Sequence, residues 1–420
     1  MITQKEKAYL RDLAKKQRDI SELPDMAEKK KLWYAHHECR AERPVFTTEI
    51  YTFLEELLPP LFCETPEGRR IERQIRTELI IHEYINDDHV VAGDFWVAAD
   101  CDFVAFDTEP ERVDAYASDG RKTHGYRLDI VINDLERDFS QLKRSRYFAN
   151  VPAAGGYFVV CQDAFGDILD VRYGYTFGFS LSRCILKLLG MEGMMLALYD
   201  CPDKISQALR MLTDDLLLYM RLLEDKRVLT FNHDNTGVGQ GTRGFTTQLP
   251  APDFKDRSDK RVLFRDVWGQ LDSQETTAVS PAMFEEIFFP YYKEIAEQFG
   301  LLSYGCCEAV HEIWDSCLSK LGNLKKLSVS PWCDERFIGE RLRGTNIIYH
   351  RKPQPNFLGI APVFDEPAFR AHLLETIQAA AGCTLEFSYR DVYSLQGDPY
   401  RAKRAYSIAM DMFEKHWRPV

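Results

Sequence analysis

The sequence of 420 residues contains no uncharged apolar run long enough to span a bilayer, so no membrane-crossing helix is expected. Its opening residues, Met-Ile-Thr-Gln-Lys-Glu-Lys, lack the apolar core of a secretory signal, and a cytoplasmic location is expected. Basic charge is not in excess. The formal net charge is -12, which argues against a sequence-independent grip on nucleic-acid phosphates. No fixed-period repeat or low-complexity tract is present. Doubled Cys-x-x-Cys motifs are missing, and the 11 cysteines are an odd number scattered along the chain. That usage fits free thiols in a reducing compartment better than a disulfide framework.

What is present supports a large core, since 45% of the residues are hydrophobic. The length suits two or three average domains or one long α/β barrel. Residues 1–65 read as a charged helical extension, with Lys29, Lys30 and Lys31 ahead of Leu32, Trp33 and Tyr34, and with Pro44 breaking the run. His36 and His37 lack a partner at i+4 and read as solvated or capping groups. Val90, Val91, Phe95, Trp96 and Val97 are strand-like, and a second apolar run follows at 157–160. Ile205, Leu209, Leu212, Leu216 and Met220 recur at helical spacing after Pro202. The glycine-rich stretch 232–241 lacks the Lys-Ser/Thr ending of a phosphate loop, and its reading is a loop whose polar side chains line a site or lie on the surface.

From Ser280 the pattern is clearer. Ser280 and Pro281 open a helix that Pro290 should kink and Gly300 should end. Strands are expected at 301–304, 324–330, 345–350 and 384–392, alternating with helices at 308–321, 334–343, 365–382 and from 398 onward. Such alternation requires a parallel sheet with right-handed crossovers. The fold expected is therefore α/β, a (β/α)8 barrel over 66–420 with the N-terminal helical segment added. An open doubly wound sheet is the alternative, without the dinucleotide fingerprint.

In either architecture ligands bind at the carboxyl ends of the strands. Those ends carry Cys306, Cys307 and Glu308; then Trp332, Cys333 and Asp334; then Lys352; and on the last strand Glu386, Arg390 and Asp391. Thiolates with a carboxylate can hold zinc, and a site with an open position can polarise a substrate. Core packing is the competing reading for the thiols, and a helix start for Glu308. Arg390, two residues beyond Ser388 on one strand face with Glu386, is the expected structural partner of that carboxylate.

Ser280-Pro281-Ala282-Met283-Phe284-Glu285-Glu286 with Pro290-Tyr291, then Tyr304-Gly305-Cys306-Cys307-Glu308, then Ser328-Val329-Ser330-Pro331-Trp332, resemble the uroporphyrinogen decarboxylase superfamily, and more closely its corrinoid methyltransferase branch. The resemblance implies a TIM barrel that moves a methyl group between a small methylated compound, O-methyl compounds included, and a corrinoid protein. It also implies zinc, with Cys306 at a family ligand position. Tyr304 stands where the family has histidine, and no cysteine stands near Arg390 or Asp391, so the ligand set it allows is Cys306 with Cys307, Glu308, Glu386 or Asp391. Glu72-Arg73-Gln74-Ile75-Arg76 lacks the arginine and glycine arrangement of porphyrinogen decarboxylases. On this reading Cys306, Glu308 and Lys352 are catalytic, and His233, Asn235, Trp268, Tyr304, Trp332 and Arg390 bind substrate. The partners expected are the methylated substrate and a corrinoid-binding protein, with neither nucleic acid nor membrane. The alternatives are a metal-independent decarboxylase of a small acid and a non-catalytic small-molecule-binding barrel.

Overall fold

The computed structural model describes residues 2–116 and 122–419. Its centre is a parallel sheet of seven strands: β1 (Val45–Thr48), β2 (Gly178–Phe179), β3 (Trp268–Leu271), β4 (Leu301–Tyr304), β5 (Leu324–Val329), β6 (Ile348–Arg351) and β7 (Thr384–Tyr389). Their spatial order is β1-β7-β6-β5-β4-β3-β2, so the last strand lies beside the first. The class is α/β.

The free edge of β1 is held by side chains in place of a strand. Asp88 accepts from the Phe46 N–H at 2.9 Å, and Asp87 accepts from the Thr48 N–H at 2.7 Å. A few residues on, Asp94–Ala98 pairs in parallel with Asp170–Gly174, and that strand runs into β2. Stretch 87–98 therefore meets β1 at one end and the segment leading into β2 at the other.

The two faces of the sheet differ in chemistry because strand side chains alternate. Phe46, Leu385, Phe387 and Tyr389 face the helical layer, where Phe387 meets Phe413 and Phe46 meets Tyr406. Thr47, Ser303, Lys326, His350, Glu386 and Ser388 form the other face. An antiparallel hairpin, Asp234–Gly239 with Thr242–Phe245, presses against it. A Cβ at Gly239 would collide with the Ser303 hydroxyl, so glycine is what allows that approach. Helix α1 spans Gln4–Ser21, and helix α2 (Pro24–His37) brings Trp33, His36 and His37 onto the same polar face, all fully buried.

Several expectations need correction. His36 and His37 are neither solvated nor capping: His36 Nε2 lies 3.3 Å from Glu386, and the His37 ring packs edge-on to Trp268. Residues 45–48 belong to the main sheet, so the expected extension is not wholly outside it. The apolar run at 157–160 opens a helix, Tyr157–Phe165, and the glycine-rich stretch is the hairpin. No helix covers 308–321; turns lead to a short 3-10 segment, Leu318–Lys320. The physical reason lies in Glu308, whose carboxylate is spent outside its own segment. It accepts from Cys306 N and Ser273 N, both at 2.8 Å.

Candidate active site

The polar face of the sheet has two levels. The lower one is closed. Glu386 is fully buried and takes Lys326 Nζ at 2.8 Å, His36 Nε2 and the Thr242 hydroxyl, with His350 at 3.8 Å. Burial alone would raise the Glu386 carboxyl, but Lys326, then His350 and His36, hold it well below the usual carboxylate range. Lys326 also sits over the rings of Trp33 and Trp268, at 5.3 and 5.9 Å. The partner of Glu386 is thus Lys326, and Arg390 pairs with Glu49 at 3.2 Å. This replaces the Glu386–Arg390 pair expected from the sequence. Lys326 crosses one intervening strand to reach its partner.

The upper level is the mouth at the strand carboxyl ends. Cys306 and Cys307 sulfurs are 3.6 Å apart, with Cys306 buried and Cys307 exposed. Arg390 Nη1 points at Cys306 Sγ from 3.8 Å. Lys352 is buried and donates to Gly305 O at 3.3 Å. The hydrogen bond from Cys306 brings the Cys307 thiol down to about 7, with Lys352 and Arg390 adding to the effect against burial and Asp391. Cys306 is pushed up by that same bond and by burial. The exposed sulfur is therefore the nucleophile of the pair at neutral pH.

Beside the thiols, the end of β3 supplies a residue that the sequence reading did not select. Asp272 is buried and takes Arg183 Nη2 at 3.0 Å, while Glu275 takes Arg183 Nε at 3.0 Å. Burial raises the Asp272 carboxyl to about 7 against the pull of Arg183, with Glu308, Cys306 and Glu275 pushing the same way as burial. A carboxyl poised there can give or take a proton at neutral pH. Next to Arg183 a cavity of about 400 Å³ opens between Phe103, Val104, Leu128, Phe179 and Leu188. That size suits a small molecule.

The expected site residues are therefore divided. Cys306, Cys307, Glu308, Lys352, Arg390 and Asp391 gather at the mouth, and Trp332 is exposed in the loop after β5. Tyr304 is fully buried beneath it, with its hydroxyl 2.7 Å from Ser273 Oγ, whose backbone N–H donates to Glu308. Glu386 belongs to the lower level. Trp268 lies at the start of β3 and packs with Val238 and Leu249; Asn235 donates to Val90 O at 2.8 Å; and the His233 ring lies tilted against Phe231. Those three lie toward the opposite end of the strands from Cys306.

Zinc does not fit this arrangement. Among the described residues no group of three or more His, Cys, Asp or Glu side chains is placed to hold a metal ion. Glu386 is consumed by Lys326, and the nearest charges to the two thiols include the cations Lys352 and Arg390.

No family model matches the sequence, and no curated protein matches it. A solved structure of a methyltransferase from Methanosarcina mazei is similar to this chain, with 14% identity, a TM-score of 0.49, and coverage of 90% of this chain and 98% of that one. At that depth the likeness bears on neither activity nor substrate. Among the described residues no helix is long and apolar enough to cross a membrane.

Proposed function

We propose that this chain is a methyltransferase working at the mouth, on a (β/α)8-type ring whose seam is the stretch 87–98. A small methylated compound occupies the cavity beside Arg183, with its methyl-bearing heteroatom toward Asp272. Asp272 gives its proton to that heteroatom as the carbon–heteroatom bond breaks, so the leaving group departs neutral. The acceptor is a corrinoid carried by a separate protein, which supplies a cobalt nucleophile when docked. Cys307, Lys352 and Arg390 line its approach.

The observation that carries this reading is the rim around the mouth. Tyr51, Trp332, Ile360, Val363 and Tyr393 are all exposed, and each lies in a segment that follows a strand's carboxyl end. Clustered exposed apolar side chains beside polar groups suit docking of a protein partner. The test is incubation with reduced cobalamin and a panel of O-, N- and S-methyl donors. Demethylated product that disappears in Asp272→Asn supports the reading; absence of product with every donor contradicts it.

A second reading, a metal-independent decarboxylase, is favoured by Lys352, a buried cation with no carboxylate within ion-pair distance among the described residues. Release of carbon dioxide from a small acid by the chain alone, without corrinoid, would select it.

A further inference from the structure

The mouth holds a contact between two sulfurs to which the proposed methyl transfer gives no bond-making role. In an extended strand the side chains of adjacent residues point to opposite faces, so two neighbouring cysteines inside β4 could not touch. β4 ends at Tyr304, and Gly305 turns the chain at a φ of +103°, where a Cβ would press on Ser328 Cβ at 3.0 Å. Cys306 and Cys307 follow in a bend, and their sulfurs lie 3.6 Å apart. The two thiols differ in access: Cys306 is 8% exposed, whereas Cys307 is open to solvent. Arg390 Nη1 stands 3.8 Å from the buried sulfur, where a cation steadies negative charge.

An accessible sulfur against a sheltered one is the arrangement in which a peroxide-oxidised cysteine is resolved by its neighbour. We propose that Cys306 and Cys307 form a modification site for hydroperoxides, Cys307 taking the oxidant and Cys306 closing a vicinal disulfide. In the first step the Cys307 sulfur attacks the outer peroxide oxygen, the O–O bond breaks, an alcohol or water leaves with the thiol proton, and a sulfenic acid forms. In the second the Cys306 sulfur attacks the Cys307 sulfur, the S–O bond breaks, and the Cys306 proton leaves with the hydroxyl as water. The two thiols together give up two electrons, and one hydroperoxide is reduced to an alcohol and water. Closure brings the sulfurs from 3.6 Å to about 2.0 Å, within reach of a rotation of the exposed Cys307 side chain. The backbone on either side is pinned: Glu308 accepts from the Cys306 N–H at 2.8 Å, Ser328 Oγ donates to Cys306 O at 2.9 Å, and Ser330 Oγ donates to Glu308 O at 3.1 Å. Adjacent Cα atoms also stand about 3.8 Å apart, short of the roughly 4.4–6.8 Å usual across a disulfide. Both features make the bond a strained, readily reduced one, so the modification is reversible. The inference stands on the sulfur geometry and does not depend on the reaction proposed for the mouth.

The test is peptide mass spectrometry of the full native chain after brief exposure to hydrogen peroxide, with the remaining thiols alkylated before digestion. The peptide holding both cysteines should be recovered two hydrogens lighter, with fragment ions placing the change at 306–307, and dithiothreitol should restore alkylation at both sulfurs. In Cys306→Ser, Cys307 should stop as a sulfenic acid that dimedone traps; in Cys307→Ser, Cys306 should stay reduced at the same peroxide dose. The proposal is overturned by a Cys307 that passes to sulfinic acid in the unsubstituted chain or by a disulfide from Cys307 to any other cysteine. A pair left reduced at a dose that oxidises glutathione in the same tube overturns it too, as does a bond that dithiothreitol does not open.

Discussion

The two levels of the polar face hold the same kinds of group and treat them in opposite ways. Below, Lys326, Glu386, His36 and His350 pack against one another out of contact with water, with His36 Nδ1 left without a partner among the described residues. Above, Cys307 is exposed, Lys352 has no carboxylate within ion-pair distance among the described residues, and Asp272 holds its proton near neutrality. Closed charge networks fix which elements meet; unbalanced ones are where chemistry is done. The lower level ties α2 and the hairpin to the sheet, and the upper level inherits a rigid floor.

The two levels part most sharply under mild acid. His36, His37 and His350 are held below the ordinary imidazole range by burial, the last two well below it. Below pH about 6.5 the unfolded chain binds protons that the folded chain refuses, so stability is present above that pH and falls as pH drops through it. All three histidines pull stability in that direction, His37 and His350 furthest. Glu386, also held low, stays ionised in that window and loses its contribution only at lower pH. Urea unfolding at pH 7.5 and 5.5 measures the difference; equal midpoints would remove the closed network from the account.

Next in size is the ion pair itself. Lys326→Met or Glu386→Leu alone strands a buried charge and should cost about 3–5 kcal/mol, whereas the double variant should recover most of it. Denaturant midpoints of the three variants decide this. At the mouth the sign of the trade reverses. Asp272→Asn should lower demethylation about a hundredfold or more, read from initial rates, because an amide cannot supply the proton. The smallest effect expected is on folding in Cys307→Ser, within about 0.5 kcal/mol, as for an exposed side chain away from the core. A large loss there would make the thiol structural.

Much of the sheet was legible in the sequence. The strands at 301–304 and 324–329 lie between turn residues, and the observed bounds match the expected ones closely. What hid the buried face of α2, expected as a helix, was its lysine-rich side, since Lys29, Lys30 and Lys31 advertise solvent while Trp33, His36 and His37 turn inward. The partner of Glu386 was hidden because a strand pattern shows neighbours along one strand, and Lys326 sits two strands away. Asp272 carried a readable signal. It follows β3 as Cys306 follows β4, and the same strand-end rule applied one strand earlier would have found it. Its protonation was not readable, because it comes first from burial, with Glu308, Cys306 and Glu275 from other segments pushing the same way against Arg183.

The most direct test of the account is the pH dependence of thiol alkylation in the native chain, mapped by peptide mass spectrometry. Cys307 should react first, with a rate midpoint about pH 7, and Lys352→Met should move that midpoint upward. Alkylation of Cys306 ahead of Cys307, or a midpoint at the ordinary thiol value of about 8.5, would contradict a mouth built around an activated, exposed sulfur.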